Sequence, residues 1–243
     1  MKPIFQRGDH NNAHAFYDGY YVAGTSEWRE ICALDKVANI LALCRDVPRH
    51  TLLDIGSGEG ALLQELSDLH FADEMRALEV STSAVNAING RHIASLADVR
   101  LFDGYSIPYG QGSFDLVTIS HVLEHVENPR ALVHEAARVG HHVFVEVPLE
   151  DTLRLRCNTS IGHINYFRLE TIVSLLETCG LEVVASKVTN PGLSYVYRGK
   201  SGRSRIRQLA LRLAPGAARH LFTYHCALLC RTAPGPVGDP SSG

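Results

Sequence analysis

The stretch from Thr51 to Gly60, TLLDIGSGEG, constrains the architecture of this chain more than any other. A short apolar strand runs straight into a turn carrying Gly56, Gly58 and Gly60, and ALLQELSDL then resumes helical periodicity. The pattern repeats downstream. MRALEV reads as a strand, STSAVNAINGR as a helix capped by Ser81, and DVRLF as a third strand ending in the turn-rich DGYSIPYGQGS. FDLVTIS is a buried strand by its continuous apolar run, PRALVHEAARV a helix with Pro129 in its first turn, and HHVFVEV a fifth strand. LETIVSLLETCG predicts a helix stopped by Gly180, and LEVVASKV and YHCALLCR predict the last two strands. Strands alternating with helices at this rhythm predict a doubly wound α/β fold with a largely parallel sheet.

An amphipathic helix from Trp28 to Cys44, preceded by the aromatic-rich FYDGYYVAGTSEWRE, predicts an N-terminal helical cap or lid over residues 1–47. Tyr17, Tyr20, Tyr21 and Trp28 either cover a site or pack this helix onto the sheet. The main domain is expected over 48–232, with an insertion at 191–222 before the last strand. The tail 233–243 is Pro/Gly/Ser-rich and expected to be disordered.

A net charge of −3 argues against a dedicated nucleic-acid binder. No apolar run reaches a membrane span of about 18 residues, and the N-terminus lacks the apolar core of a signal peptide. The expectation is a cytoplasmic protein with no stable membrane insertion. Cys32, Cys44, Cys157, Cys179, Cys226 and Cys230 form no C-x-x-C pair and read as reduced, mostly buried thiols. The charge is unevenly placed, however. Between Glu182 and Asp239 there is no acidic residue, while Arg198, Lys200, Arg203, Arg205, Arg207, Arg212, Arg219 and Arg231 lie there. Within this region RSRIRQLALRLA predicts a basic amphipathic helix with Ile206, Leu209, Ala210 and Leu213 on one face.

Ligands of an open parallel sheet sit beyond the carboxyl ends of its strands. Acidic residues stand at three successive strand ends: Asp54 before the glycines, Glu79 after the second strand, and Asp103-Gly104 after the third. Asp54 suits a cationic amino-acid ligand, Glu79 a pair of ribose hydroxyls, and Asp103 an adenine amino group. Gly56, Gly58 and Ala61 alone fit the loose dinucleotide pattern G-x-G-x-x-A, so an NAD-linked oxidoreductase is the alternative reading.

In order and placement, LLDIGSGEGALL, ALEVS and FDGYSIPYGQGSFDLVTISHVLEHVENP resemble the class I S-adenosylmethionine-dependent methyltransferases, over roughly residues 50–190. The resemblance is to a broad small-molecule branch with LEHV after the fourth strand. It implies a Rossmann-like seven-stranded sheet whose last strand is antiparallel, with helices on both faces. It also implies S-adenosyl-L-methionine as cofactor, contacted by Gly56, Ser57, Gly58, Glu79, Val80, Asp103, Gly104 and Ser120, with Asp54 helping through the loop.

Methyl transfer from a sulfonium is an in-line displacement dominated by alignment, with one general base needed when the acceptor is a hydroxyl. His163, His121 and Glu146 are the candidate catalytic residues, with His125, Glu150 and Asp151 nearby in the chain. The expected acceptor is a small molecule or glycan, methylated at oxygen. The basic stretch suggests an anionic acceptor or carrier.

His121, Glu124 and His125 also spell H-x-x-E-H, the string of a zinc-peptidase helix. Pro129 follows too closely for such a helix, which disfavours the peptidase reading, and most such strings in the fold that the sequence resembles carry no metal, so none is expected here. The minority alternative is a metal-assisted methyltransferase using His121, Glu124 and His125, with His163 completing the site. A non-catalytic cofactor-binding subunit is the remaining alternative.

Overall fold

The computed structural model describes residues 27–150 and 163–232. Seven strands form one sheet in the order β3-β2-β1-β4-β5-β7-β6. They are β1 (Thr51–Ile55), β2 (Glu74–Glu79), β3 (Leu96–Leu101), β4 (Phe114–Ser120), β5 (Gly140–Leu149), β6 (Leu181–Thr189) and β7 (Tyr224–Thr232). β1 to β5 pair in parallel, and β7 runs antiparallel between β5 and β6. The chain winds outward from β1 to β3, then returns to place β4 on the other side of β1. That reversal puts the ligand crevice of the fold at the carboxyl ends of β1 and β4.

Both faces of the central strands are covered, which is why their apolar residues fall at consecutive positions rather than only at alternate ones. Leu53, Val117 and Val143 join Leu132 and Ile172 in one core. Their neighbours Leu52, Leu116 and Phe144 join Ile40, Leu63 and Ile88 in the other. The period-two alternation of strand side chains thus sends consecutive leucines of β1 to opposite faces.

The helices on these faces include α1 (Glu27–Leu43), α2 (Ala61–Asp68), α3 (Thr82–Gly90), α4 (Pro129–Val139) and α5 (Leu169–Glu177). Ser81 caps α3 by accepting from the Ala84 amide at 3.2 Å, as its place in the sequence predicts. α6 (Gly192–Tyr197), α7 (Ser201–Leu213) and α8 (Pro215–Leu221) form the insertion between β6 and β7.

α7 is turned with its apolar face outward. Ile206, Leu209 and Leu213 are 62%, 56% and 76% exposed, whereas Ser204 and Arg207 are buried. Arg207 accounts for this orientation. Its guanidinium lies 4.6 Å from the Tyr195 ring and 5.1 Å from the Tyr224 ring, and its Nε donates to Asn190 Oδ1 at 2.9 Å.

Tyr17, Tyr20 and Tyr21 of the expected lid, Asp151, Cys157 and the tail 233–243 lie outside the described residues. Trp28 lies in the first turn of α1, with the Arg198 guanidinium 3.6 Å from the centre of its ring.

Candidate active site

The turn after β1 is shaped by backbone that only glycine adopts easily. Gly56, Gly58 and Gly60 have φ of 72°, 58° and 79°. A Cβ on Gly56 would fall 2.4 Å from Val122 Cγ2, so the turn packs directly against the residues after β4. The Gly58 amide donates to Glu79 Oε1, and the Val80 amide donates to Glu79 Oε2 at 3.0 Å. Glu79 is thereby fixed across the mouth of the glycine turn. Burial pushes its carboxyl up to about 7, against the pull of these amides. A glycine cradle with a carboxylate held across it fits the ribose end of S-adenosylmethionine.

Asp54 takes a different role. Its carboxylate accepts from Thr118 Oγ1 at 2.6 Å, and Ser57 Oγ donates to the Asp54 carbonyl at 3.1 Å. Asp54 thus ties β1 to β4 beneath the turn, and burial raises its carboxyl above the ordinary value. Asp103 accepts from the Tyr105 and Ser106 amides at 2.8 and 2.6 Å, which lowers its carboxyl. That is a turn-forming acid, followed by Gly104 at φ 87°.

Beyond β4 the H-x-x-E-H string forms a turn rather than a helix. His121 stands at φ 60°, a left-handed conformation held by the bond of its amide to the Glu146 carbonyl at 2.8 Å. Its Nδ1 lies 3.1 Å from Glu124 Oε1, and its Nε2 lies 3.6 Å from Glu146 Oε1. Burial works to lower His121, but the two carboxylates outweigh it and push it up to about 9. Burial likewise works to raise Glu124, but His121 outweighs it and holds the carboxyl near 2.

Glu146 is fully buried and shared among four side chains. Ser120 Oγ donates to its Oε2 at 3.3 Å, and Asn39 Nδ2 donates to its Oε1 at 3.0 Å. His121 and His225 also face Oε1, the latter with Nδ1 at 3.4 Å. Asn39 and His225 are absent from the sequence reading. His225 reaches Glu146 only because Ala227 pairs with Glu146 across the β5–β7 ladder, placing the residue two positions away on the same face. Nothing local in YHCALLCR signals that register.

His163 follows in the same row. Its Nδ1 lies 3.0 Å from Glu150 Oε2, and its ring packs edge-on against His125 at 4.9 Å. The backbone holds it there: Ile164 and Asn165 donate their amides to the Glu124 carbonyl at 2.8 and 3.0 Å. The structure therefore brings His121, Glu124, His125, Glu146 and His163 together, as the sequence suggests. The H-x-x-E-H residues divide, however. His121 sides with Glu146 and His225, and His125 with Glu124 and His163. Beside His225 opens a cavity of about 240 Å³, lined also by Asn39, Lys187, Thr189, Asn190 and Gln208.

Comparisons with known proteins agree with this fold. A biotin biosynthesis bifunctional protein, BioHC of Teredinibacter turnerae, is 28% identical over 163 residues, or 60% of this chain. The chain spans 29% of that relative's length. Among solved structures, phosphoethanolamine N-methyltransferase 2 of Haemonchus contortus superposes with a TM-score of 0.63 at 13% identity, covering 91% of this chain and 56% of its own. Geranyl diphosphate C-methyltransferase of Streptomyces coelicolor gives 0.61 at 11% identity, covering 81% and 76%. Residues 26–186, about two thirds of the chain, match the methyltransferase-domain family, and the protein belongs to the class I S-adenosylmethionine-dependent methyltransferases.

Proposed function

We propose that this methyltransferase moves the methyl group to a hydroxyl of a small molecule or glycan, with His163 as general base. The observation that carries this reading is the His163–Glu150 pair. A carboxylate at 3.0 Å from Nδ1 fixes the proton there and leaves Nε2 as the proton acceptor, the orienting arrangement that makes an imidazole a base. His121 is less suited, because its Nδ1 is committed to Glu124 and its Nε2 faces Glu146. Glu146, in contact with four neighbours and without exposure, reads as a positioning residue.

Bound S-adenosylmethionine supplies an electrophilic methyl on a sulfonium. The chain's part is to hold and orient. Glu79 accepts the ribose hydroxyls, Gly56, Ser57 and Gly58 let the backbone approach, and Val80, Gly104 and Ser120 border the cofactor. Asp54 supports the turn from below, and Asp103 shapes the loop that carries Gly104. We take 1–47 as the cap of the site and 191–222 as the insertion that closes its acceptor side, where the cavity lies.

S-adenosylhomocysteine at 100 times its Kd should stabilise the protein by about 2.7 kcal/mol, which raises Tm by several degrees, and NADH should not. The reverse pattern rejects the cofactor assignment. Labelled S-adenosylmethionine incubated with cell extract should yield a methyl ether by mass spectrometry. An N- or C-methylated product instead would remove the need for a hydroxyl base.

The acceptor, in this reading, is carried at an anionic lipid surface. Arg207, Arg219 and Arg231 are engaged within the protein, by aromatic rings, Glu170 and Glu182. Lys200, Arg203, Arg205 and Arg212 are exposed beside the outward Ile206, Leu209 and Leu213. An apolar stripe flanked by cations suits shallow interfacial contact. Among the described residues no helix is long and apolar enough to cross a membrane. The protein should sediment with vesicles containing phosphatidylserine at low salt and be released at high salt. Equal sedimentation with neutral phosphatidylcholine vesicles, or none with either, rejects the idea.

A further inference from the structure

Two imidazoles and a carboxylate converge where β4, β5 and β7 meet. Glu146 Oε1 lies 3.6 Å from His121 Nε2 and 3.4 Å from His225 Nδ1, and each of the three residues offers a ligand atom within 4.8 Å of the others'. These gaps exceed the 2.7–3.2 Å or so of an N–H···O hydrogen bond. They match a different object. Tetrahedral zinc binds imidazole nitrogen and carboxylate oxygen at about 2.0–2.2 Å, and the edge of that tetrahedron is then about 3.3–3.6 Å. Among the described residues His121 Nε2 is buried with no hydrogen-bond partner, and it faces this gap.

We propose that His121 Nε2, Glu146 Oε1 and His225 Nδ1 bind one first-row divalent cation of the zinc type, with its fourth position open toward the cavity beside His225.

The surroundings are those such an ion requires. Glu124 Oε1, 3.1 Å from His121 Nδ1, fixes the tautomer that leaves Nε2 free, the carboxylate–histidine support common behind metal ligands. Ser120 and Asn39 hold the Glu146 carboxylate from two other elements. Glu146 and His225 lie within β5 and β7 and His121 directly follows β4, so strands position the side chains more rigidly than loops would.

Charge points the same way. Glu124 and Glu146 are both fully buried beside these imidazoles, and a divalent ion between them would offset both carboxylates. This inference stands independently of the acceptor and of the base, since it concerns binding by the cofactor-free protein.

The full chain, stripped with chelator, should take up one equivalent of Co²⁺ with a tetrahedral visible spectrum that Zn²⁺ abolishes. His121→Ala and His225→Ala should each weaken Zn²⁺ binding at least 100-fold, whereas His125→Ala and His163→Ala should change it less than threefold. His225→Cys keeps a ligand and should add a thiolate-to-cobalt charge-transfer band, which a merely destabilised variant would not show. The absence of saturable uptake by the native chain overturns the proposal. So does loss of the ion in His125→Ala or His163→Ala with retention in His225→Ala, or a His225→Cys protein that binds Co²⁺ without the new band.

Discussion

Replacing His163 by alanine should lower turnover about 10²–10⁴-fold, the usual contribution of a positioned general base. The Kd for S-adenosylhomocysteine should stay within about threefold of the native value, because Glu79 and the glycine turn sit at the ends of other elements. Single-turnover transfer with excess enzyme separates this from slow product release. Glu150→Gln should reproduce part of the loss by weakening the hold on Nδ1–H, and should do so without altering cofactor affinity. Near-native turnover in His163→Ala would leave the chemistry to alignment alone, which already supplies about 7–11 kcal/mol in well-oriented reactions. The aromatic contact with His125 at 4.9 Å adds a control: His125→Phe preserves an edge-on ring and should retain most activity.

Glu79→Ala should weaken cofactor binding by about 10²–10⁴-fold. Two charge-assisted bonds to ribose hydroxyls, each worth about 1.5–3 kcal/mol, would be lost. The native protein should also show a pH dependence whose sign follows from burial. Glu79 titrates near 7 against an ordinary value of 4.5, and ribose hydroxyls donate only to its ionised form. Affinity for S-adenosylhomocysteine should therefore fall about tenfold from pH 8 to pH 6 as that form is depleted. The stability of the cofactor-free protein should move in the opposite direction. Between about 4.5 and 7 the folded chain holds this proton and the unfolded chain does not, so this group's contribution to stability is lost as pH rises. Glu79→Gln should flatten both curves. Calorimetry across pH measures the first and denaturant titration the second; a flat affinity profile in the native protein would remove Glu79 from the ribose contact.

Much of the fold was legible because its signals are local. Periodicity separates DVRLF from STSAVNAINGR, Ser81 caps the helix after β2, and the glycines after β1 occupy positive φ where side chains are strained. The acids at strand ends were equally visible, but their partners were not. Asp54 reads as a ligand contact in the sequence and ties two strands in the structure, because Thr118 is opposite it in the β1–β4 register. α7 shows the same limit. Its apolar face is plain from spacing, yet its direction was decided by Arg207, whose stacking against Tyr195 and Tyr224 depends on distant chain.

The sequence by itself determined the architecture, the glycine turn and the family, since each rests on residues within a turn or a strand of one another. The tertiary structure alone decided the grouping of the histidines. His121 and His225 are 104 positions apart and meet over Glu146 only through the antiparallel pairing of β5 with β7. A register of that kind is set by the packing of whole strands and leaves no mark on the residues beside it.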